Sequence, residues 1–175
     1  IQFLQPRAHS QGEGSLVNGF TKTLEALMAW QQGKPAKALA ALEQGQIRYN
    51  PVIEFIFPEQ ALARYLRAEL LAEMGHYQEA LRWYAALVDG ADFTAPIRYL
   101  GPTYVRCAGI YEKLGNTDKA IEFYGRFVEL WQDCDTELRP MVKDARQKLK
   151  HLLEQKVKEP EEKQKQIQST VTDKK

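Results

Sequence analysis

Cysteine is scarce in this 175-residue chain: Cys107 and Cys134 are the two there are, far apart and outside any CxxC spacing. A disulfide scaffold, a thioredoxin-type redox pair and a zinc knuckle are excluded, and both thiols read as small packing groups in apolar helical context. Histidine is nearly as rare, with His9 in a polar leader, His76 at a turn and His151 beside Glu154 on one helical face. Metal chemistry needs three or four convergent ligands, so no metal and no cofactor is expected. Ser10 and Ser15 lack the GxSxG setting of a strained nucleophile, and no glycine-rich phosphate cradle occurs, so the chain reads as no enzyme.

Long apolar runs are missing too. The longest is Trp83 to Val88, six residues, where a membrane span needs about 20. The first twenty residues lack the apolar stretch of a signal peptide, and a cytoplasmic location is expected. The chain begins at Ile1 rather than Met, which reads as a fragment or a processed product. Charge of one sign is also absent: 24 Lys and Arg face 23 Asp and Glu, a net charge of +1. No overall field draws the protein to nucleic acid or an anionic membrane. Arg139, Lys143, Arg146 and Lys150 form one basic stripe, which reads as a solvated helix face. Apolar residues at 44% and charged residues at 27% are those of an ordinary globular domain.

What the sequence does contain is a repeat. Trp30 to Leu42, Ala72 to Leu87 and Glu112 to Phe127 share one pattern around Gly33, Gly75 and Gly115, spaced 42 and 40 apart. Seven residues before these glycines stand Ala26, Ala68 and Ala108; five after stand Ala38, Ala80 and Ala120; nine after stand Leu42, Tyr84 and Tyr124. Each glycine ends an apolar-periodic run and supplies the left-handed conformation that closes a helix without a Cβ clash. A second helix starts at once, with Pro35 suited to a first helical position and Asn116 to a cap. Matched alanines allow close helix approach, while Tyr84, Leu87, Tyr124 and Phe127 fill the space between hairpins. One hairpin cannot bury both its faces, so stability must come from stacking.

These positions resemble the tetratricopeptide repeat (TPR) family, best over Tyr65 to Val88 and Tyr104 to Trp131, where Ala68, Leu71, Gly75, Ala80 and Tyr84 and then Ala108, Tyr111, Gly115, Ala120 and Tyr124 fall on the family's small, aromatic and glycine places. The first unit is degenerate, with Glu25 at a usually apolar place, and the spacing exceeds the family's usual repeat because of longer connectors such as Asp89 to Gly101. The expected fold is all-α: a TPR-like superhelix of three hairpins plus a C-terminal closing helix, with helices near 16–32, 35–47, 58–74, 77–88, 102–114, 117–131 and 136–155. Pro58 and Pro102 are expected to open the first helices of their hairpins. The segment YNPVIEFIFPEQ reads as an extended or single-turn connector. Leu138, Val142, Ala145, Leu149 and Leu152 form the apolar face of the closing helix. The domain organisation is a polar leader over 1–15, a repeat domain over 16–155 and a charged flexible tail over 156–175, either disordered or a solvated helical extension.

The resemblance implies a non-catalytic protein-interaction module that holds a partner peptide or helix on a concave surface lined by the first helix of each hairpin. Carried across, that surface takes Leu62, Tyr65, Glu69, Ala72 and Glu73 from the second unit and Val105, Gly109, Glu112 and Lys113 from the third. Chaperone-binding relatives hold a C-terminal carboxylate with a Lys and Asn clamp; here Tyr65 and Glu69 stand in place of its first Lys and Asn. Two glutamates repel a carboxylate, so an apolar or basic peptide suits the surface better, with Tyr65 as an anchor. The sequence also resembles TPR regions that follow catalytic or DNA-binding domains in larger bacterial signalling proteins. Two other roles fit the same pattern: a structural subunit self-associating end to end through its hairpins, and a regulatory arm of an upstream kinase or transcription regulator.

Overall fold

The computed structural model describes residues 11–45, 59–88 and 97–172, with side chains over 17–45, 61–88 and 99–158. Every regular element among the described residues is a helix: α1 (Gln11–Gln31), α2 (Pro35–Gln44), α3 (Glu59–Glu73), α4 (Tyr77–Val88), α5 (Ile97–Lys113), α6 (Thr117–Leu130) and α7 (Arg139–Thr172). The all-α hairpin architecture read from the repeat is therefore present.

Three turns of identical construction make the hairpins. Gly33, Gly75 and Gly115 have φ of +69°, +82° and +70°, and they are the positive-φ residues of the described backbone. The N–H of each glycine donates to the carbonyl three residues back, on Trp30, Ala72 and Glu112. The next N–H, on Lys34, His76 or Asn116, reaches five residues back to Ala29, Leu71 or Tyr111 at 3.0, 2.8 and 2.9 Å. This is the Schellman closure, which satisfies carbonyls that a helix end otherwise leaves unpaired. The carbonyls of those same residues, Lys34, His76 and Asn116, accept from Ala38, Ala80 and Ala120 at 3.0 Å each and so begin the second helix. One residue thus closes one helix and opens the next, which fixes the angle between them. Pro35 occupies the first turn of α2, and the Asn116 side chain accepts from the Lys119 N–H at 3.1 Å.

The alanines 12 residues apart across each turn meet in the hairpin interior. Ala26, Ala38, Ala68, Ala80, Ala108 and Ala120 are all fully buried. The residues gather into two compact units, Ile1–Thr103 and Tyr104–Lys175. In the first, Ala26 and Ala29 of α1, Ala38, Ala41 and Leu42 of α2, and Leu66 and Leu70 of α3 form one cluster, with Leu27, Trp30, Leu39 and Ala63 against it. In the second, Ala108, Ala120, Tyr124 and Phe127 pack with Val142, Ala145 and Leu152 of α7. Leu149 packs beside them, and the long helix closes the third hairpin with Val142, Ala145, Leu149 and Leu152 of its expected face; Leu138 lies one residue before α7 and outside this cluster.

Several boundaries differ from the sequence reading. Helix α1 begins at Gln11, not Leu16, and so takes in the end of the leader. Pro102 does not open α5; it lies inside it, because the helix starts at Ile97. Proline at that depth removes one hydrogen bond to the preceding turn, a loss the rest of the helix tolerates. Helix α7 continues through the charged segment to Thr172, the helical of the two forms anticipated there. Residues 46–58 and 89–96, which include Pro58 and most of both connectors, lie outside the described residues. No helix among the described residues is long and apolar enough to cross a membrane.

Gly115 and Gly125 give opposite expectations for one substitution. A Cβ at either meets nothing within 4 Å, so backbone conformation alone decides. Gly115→Ala forces an L-residue into the left-handed region and is expected to lower stability by about 1 kcal/mol. Gly125→Ala, inside α6, is expected to raise it by roughly 0.5–1 kcal/mol. Urea denaturation of the two variants checks both signs.

Candidate interaction faces

Helix α3 carries Leu62, Tyr65, Glu69, Ala72 and Glu73 at three- and four-residue intervals, so they share one face. Their environments differ. Leu62, Tyr65 and Ala72 are half-buried and Glu73 is exposed, whereas Glu69 is only 8% exposed. Glu69 Oε1 accepts a 2.6 Å hydrogen bond from the Tyr84 hydroxyl of α4, which ties it into the hairpin. Tyr65 packs edge-on to Tyr84, with ring centroids 5.9 Å apart, and lies 5.1 Å from Tyr99 of α5. It serves the packing of the first unit while keeping part of its surface accessible.

In the second unit, Val105 and Gly109 are half-buried and Glu112 and Lys113 are exposed. Glu112 accepts a hydrogen bond from the Tyr124 hydroxyl. Tyr84 and Tyr124 occupy the same repeat position, yet their acceptors sit one helical turn apart. The third hairpin has Gly109 where the second has Glu69, and Glu112 where the second has Ala72. A Cβ built on Gly109 would lie 3.9 Å from the Tyr124 hydroxyl, the space that Glu69 occupies one repeat earlier. The carboxylate has moved along the helix while the tyrosine kept a charged acceptor, as a buried hydroxyl requires.

Two further features escaped the sequence reading. Trp30 of α1 donates from Nε1 to Glu73 Oε2 at 2.5 Å, which brings the first hairpin onto the face of α3. Arg67, 8% exposed, stacks its guanidinium 4.6 Å from the centre of the Trp83 ring. Burial pulls the Arg67 pKa below its ordinary value, and nearby Glu43 acts against that shift. Neither contact follows from periodicity, since Trp30 and Glu73 are 43 residues apart. The only sequence signal was an arginine at a place the repeat usually fills with an apolar side chain.

No group of three or more potential metal ligands gathers among the described residues. The Cys107 thiol is buried, which pushes its pKa up to about 12. Burial, and then the hydrogen bond to Glu112, raises Tyr124 well above the usual tyrosine range. Arg139, Lys143, Arg146 and Lys150 are all exposed on α7.

Raised acids set the direction of alkaline behaviour. The folded protein keeps the Cys107 proton to a higher pH than the unfolded chain, so this contribution is complete below the thiol's ordinary pKa, near 8.5, and is lost as pH rises towards about 12. Tyr124 acts in the same sense at still higher pH. Melting temperature is expected to fall between pH 8 and 11, and Cys107→Ala should flatten that slope. Calorimetry across the range measures it.

Comparison with curated proteins returns no significant match. Two family models, each described as tetratricopeptide repeat, match residues 23–95 and 102–133, together more than half of the chain. The first match begins in α1 and takes in the hairpin with the Tyr84–Glu69 bond; the second takes in the hairpin with Tyr124 and Glu112. Proteins built of these repeats are in general protein-interaction modules. With three glycine-closed hairpins, matched buried alanines and both matches in register with them, the chain belongs to the tetratricopeptide repeat family.

Proposed function

We propose that this chain is a non-catalytic interaction module that holds a partner peptide or helix on the first helices of its hairpins. One observation carries the reading: α3 and α5 are each sealed on one side and accessible on the other. On α3, Ala68 and Leu71 are buried while Leu62, Tyr65, Ala72 and Glu73 keep accessible surface. On α5, Cys107 and Ala108 are buried while Val105, Gly109, Glu112 and Lys113 keep theirs.

Rigidity favours the same use. The hydroxyls of Tyr84 and Tyr124 brace each first helix against its second, so little side-chain and backbone freedom is left for a partner to remove on binding. The partner chemistry that fits is apolar or basic, because the exposed Glu73 carboxylate would repel a carboxylate-terminated peptide, while Glu69 is taken up by Tyr84. A place as the regulatory arm of a larger signalling protein is compatible with such a module, since it needs only that the bound segment belong to another part of the assembly.

Zero-length carboxyl-to-amine crosslinking in extracts of the native source, read by mass spectrometry, tests the placement. Crosslinks to a partner are expected at Glu73, Glu112 and Lys113. Crosslinks confined to the lysines from Lys156 onward would contradict it.

A further inference from the structure

The end of the first unit holds a carboxylate without a matching cation. Glu73 is the last residue of α3, where helix carbonyls already concentrate partial negative charge, and a cation is what such a position favours. Helix α3 has no basic residue in its last turn, and neither does α1. The two helix ends converge there, because Trp30, next to last in α1, donates its indole N–H to Glu73. Among the described residues no lysine, arginine or histidine pairs with Glu73. The third hairpin differs at this point: its equivalent of Glu73 is Lys113, a basic residue in the last turn of α5.

The α1 side of that contact carries apolar side chains. Leu27 and Trp30 of α1 are half-buried against the first unit's core, and Ala72 and Tyr65 of α3 are half-buried on the face that bears Glu73. The Trp30 bond holds the Glu73 carboxylate in one orientation, so a cation arriving there meets a fixed acceptor and a large aromatic surface together. Such a pairing suits the methylene stem of lysine or arginine as well as its charged end.

Resting on the interaction reading above, we propose that the α1–α3 face of the first unit is the selective part of the binding surface, and that it takes a peptide segment with a lysine or arginine next to a large apolar side chain. The cation pairs with Glu73 and the apolar side chain lies on Leu27 and Trp30. Selectivity for a basic partner then resides in the first unit and is absent from the third hairpin.

A random dodecapeptide library displayed on phage and selected on the full chain tests this. Enriched sequences are expected to carry adjacent basic and apolar residues. A synthetic peptide made from them should bind about fivefold more weakly to Glu73→Gln, the upper range for an exposed ion pair. Glu73→Lys should weaken it further and accept instead the same peptide with its lysine exchanged for glutamate. Glu73 is exposed and Gln still offers an oxygen to the Trp30 indole, so Glu73→Gln should melt like the parent chain; Glu73→Lys loses that bond but places a cation at the helix end, and its melting is measured beside its binding. Enrichment of acidic or uncharged sequences, or basic peptides indifferent to Glu73→Gln, would overturn the inference. Peptides that bind but respond only to Glu112→Gln and Lys113→Glu would leave the interaction reading standing and remove this one. A library with no enriched binder would remove both.

Discussion

Every hairpin in this protein depends on one glycine in the left-handed region followed by one residue that both closes a helix and opens the next. Gly33, Gly75 and Gly115 supply the conformation; Lys34, His76 and Asn116 supply the two hydrogen bonds. Because the turn has no slack, the two helices leave it at a set angle, and the residues seven before and five after the glycine come face to face. That place can hold only a small side chain, and in all three hairpins it holds alanine on both helices. The close approach brings the second helix's aromatic or leucine, four residues beyond its alanine, into the interior, where Leu42, Tyr84 and Tyr124 are buried.

Burial of tyrosine creates a further demand, since a hydroxyl removed from water needs a partner. Tyr84 and Tyr124 meet it with carboxylates from the first helix, and the carboxylate sits at different places in the two hairpins. The requirement belongs to the tyrosine and not to any single position, so Glu69 and Glu112 perform the same bracing one turn apart. The helix whose inner side receives the tyrosine is also the helix whose other side keeps accessible surface. Glu69 is thereby drawn into the structure, while Glu73, four residues on, reaches solvent.

Much of this was legible in the residues. The glycine spacing, the matched alanines, Pro35 in a first turn, Asn116 as a cap and the apolar face of the closing helix are all local or periodic, and the structure has each of them. Pro102 misled because a first-turn position is where proline costs a helix least, but Ile97 to Gly101 extend the helix on its N-terminal side and leave the proline inside it. The candidate site was read as a list of positions on two helices and not as an arrangement. Nothing in the spacing shows that Tyr84 claims Glu69, that Tyr124 turns to Glu112, or that Trp30 reaches Glu73 from another hairpin. Those contacts are set by how consecutive helices stack, which is a property of three-dimensional packing. Arg67 was hidden for a related reason: its stem and planar head fit against Trp83 where the repeat ordinarily places an apolar side chain.

Native-state hydrogen exchange at the amides of Lys34, His76 and Asn116 bears most directly on this account. If each of those N–H groups closes the helix before it, all three should exchange as slowly as amides inside the helices they join. Exchange at the rate of an open loop, at any one of the three, would contradict the shared turn on which the hairpins and their open faces rest.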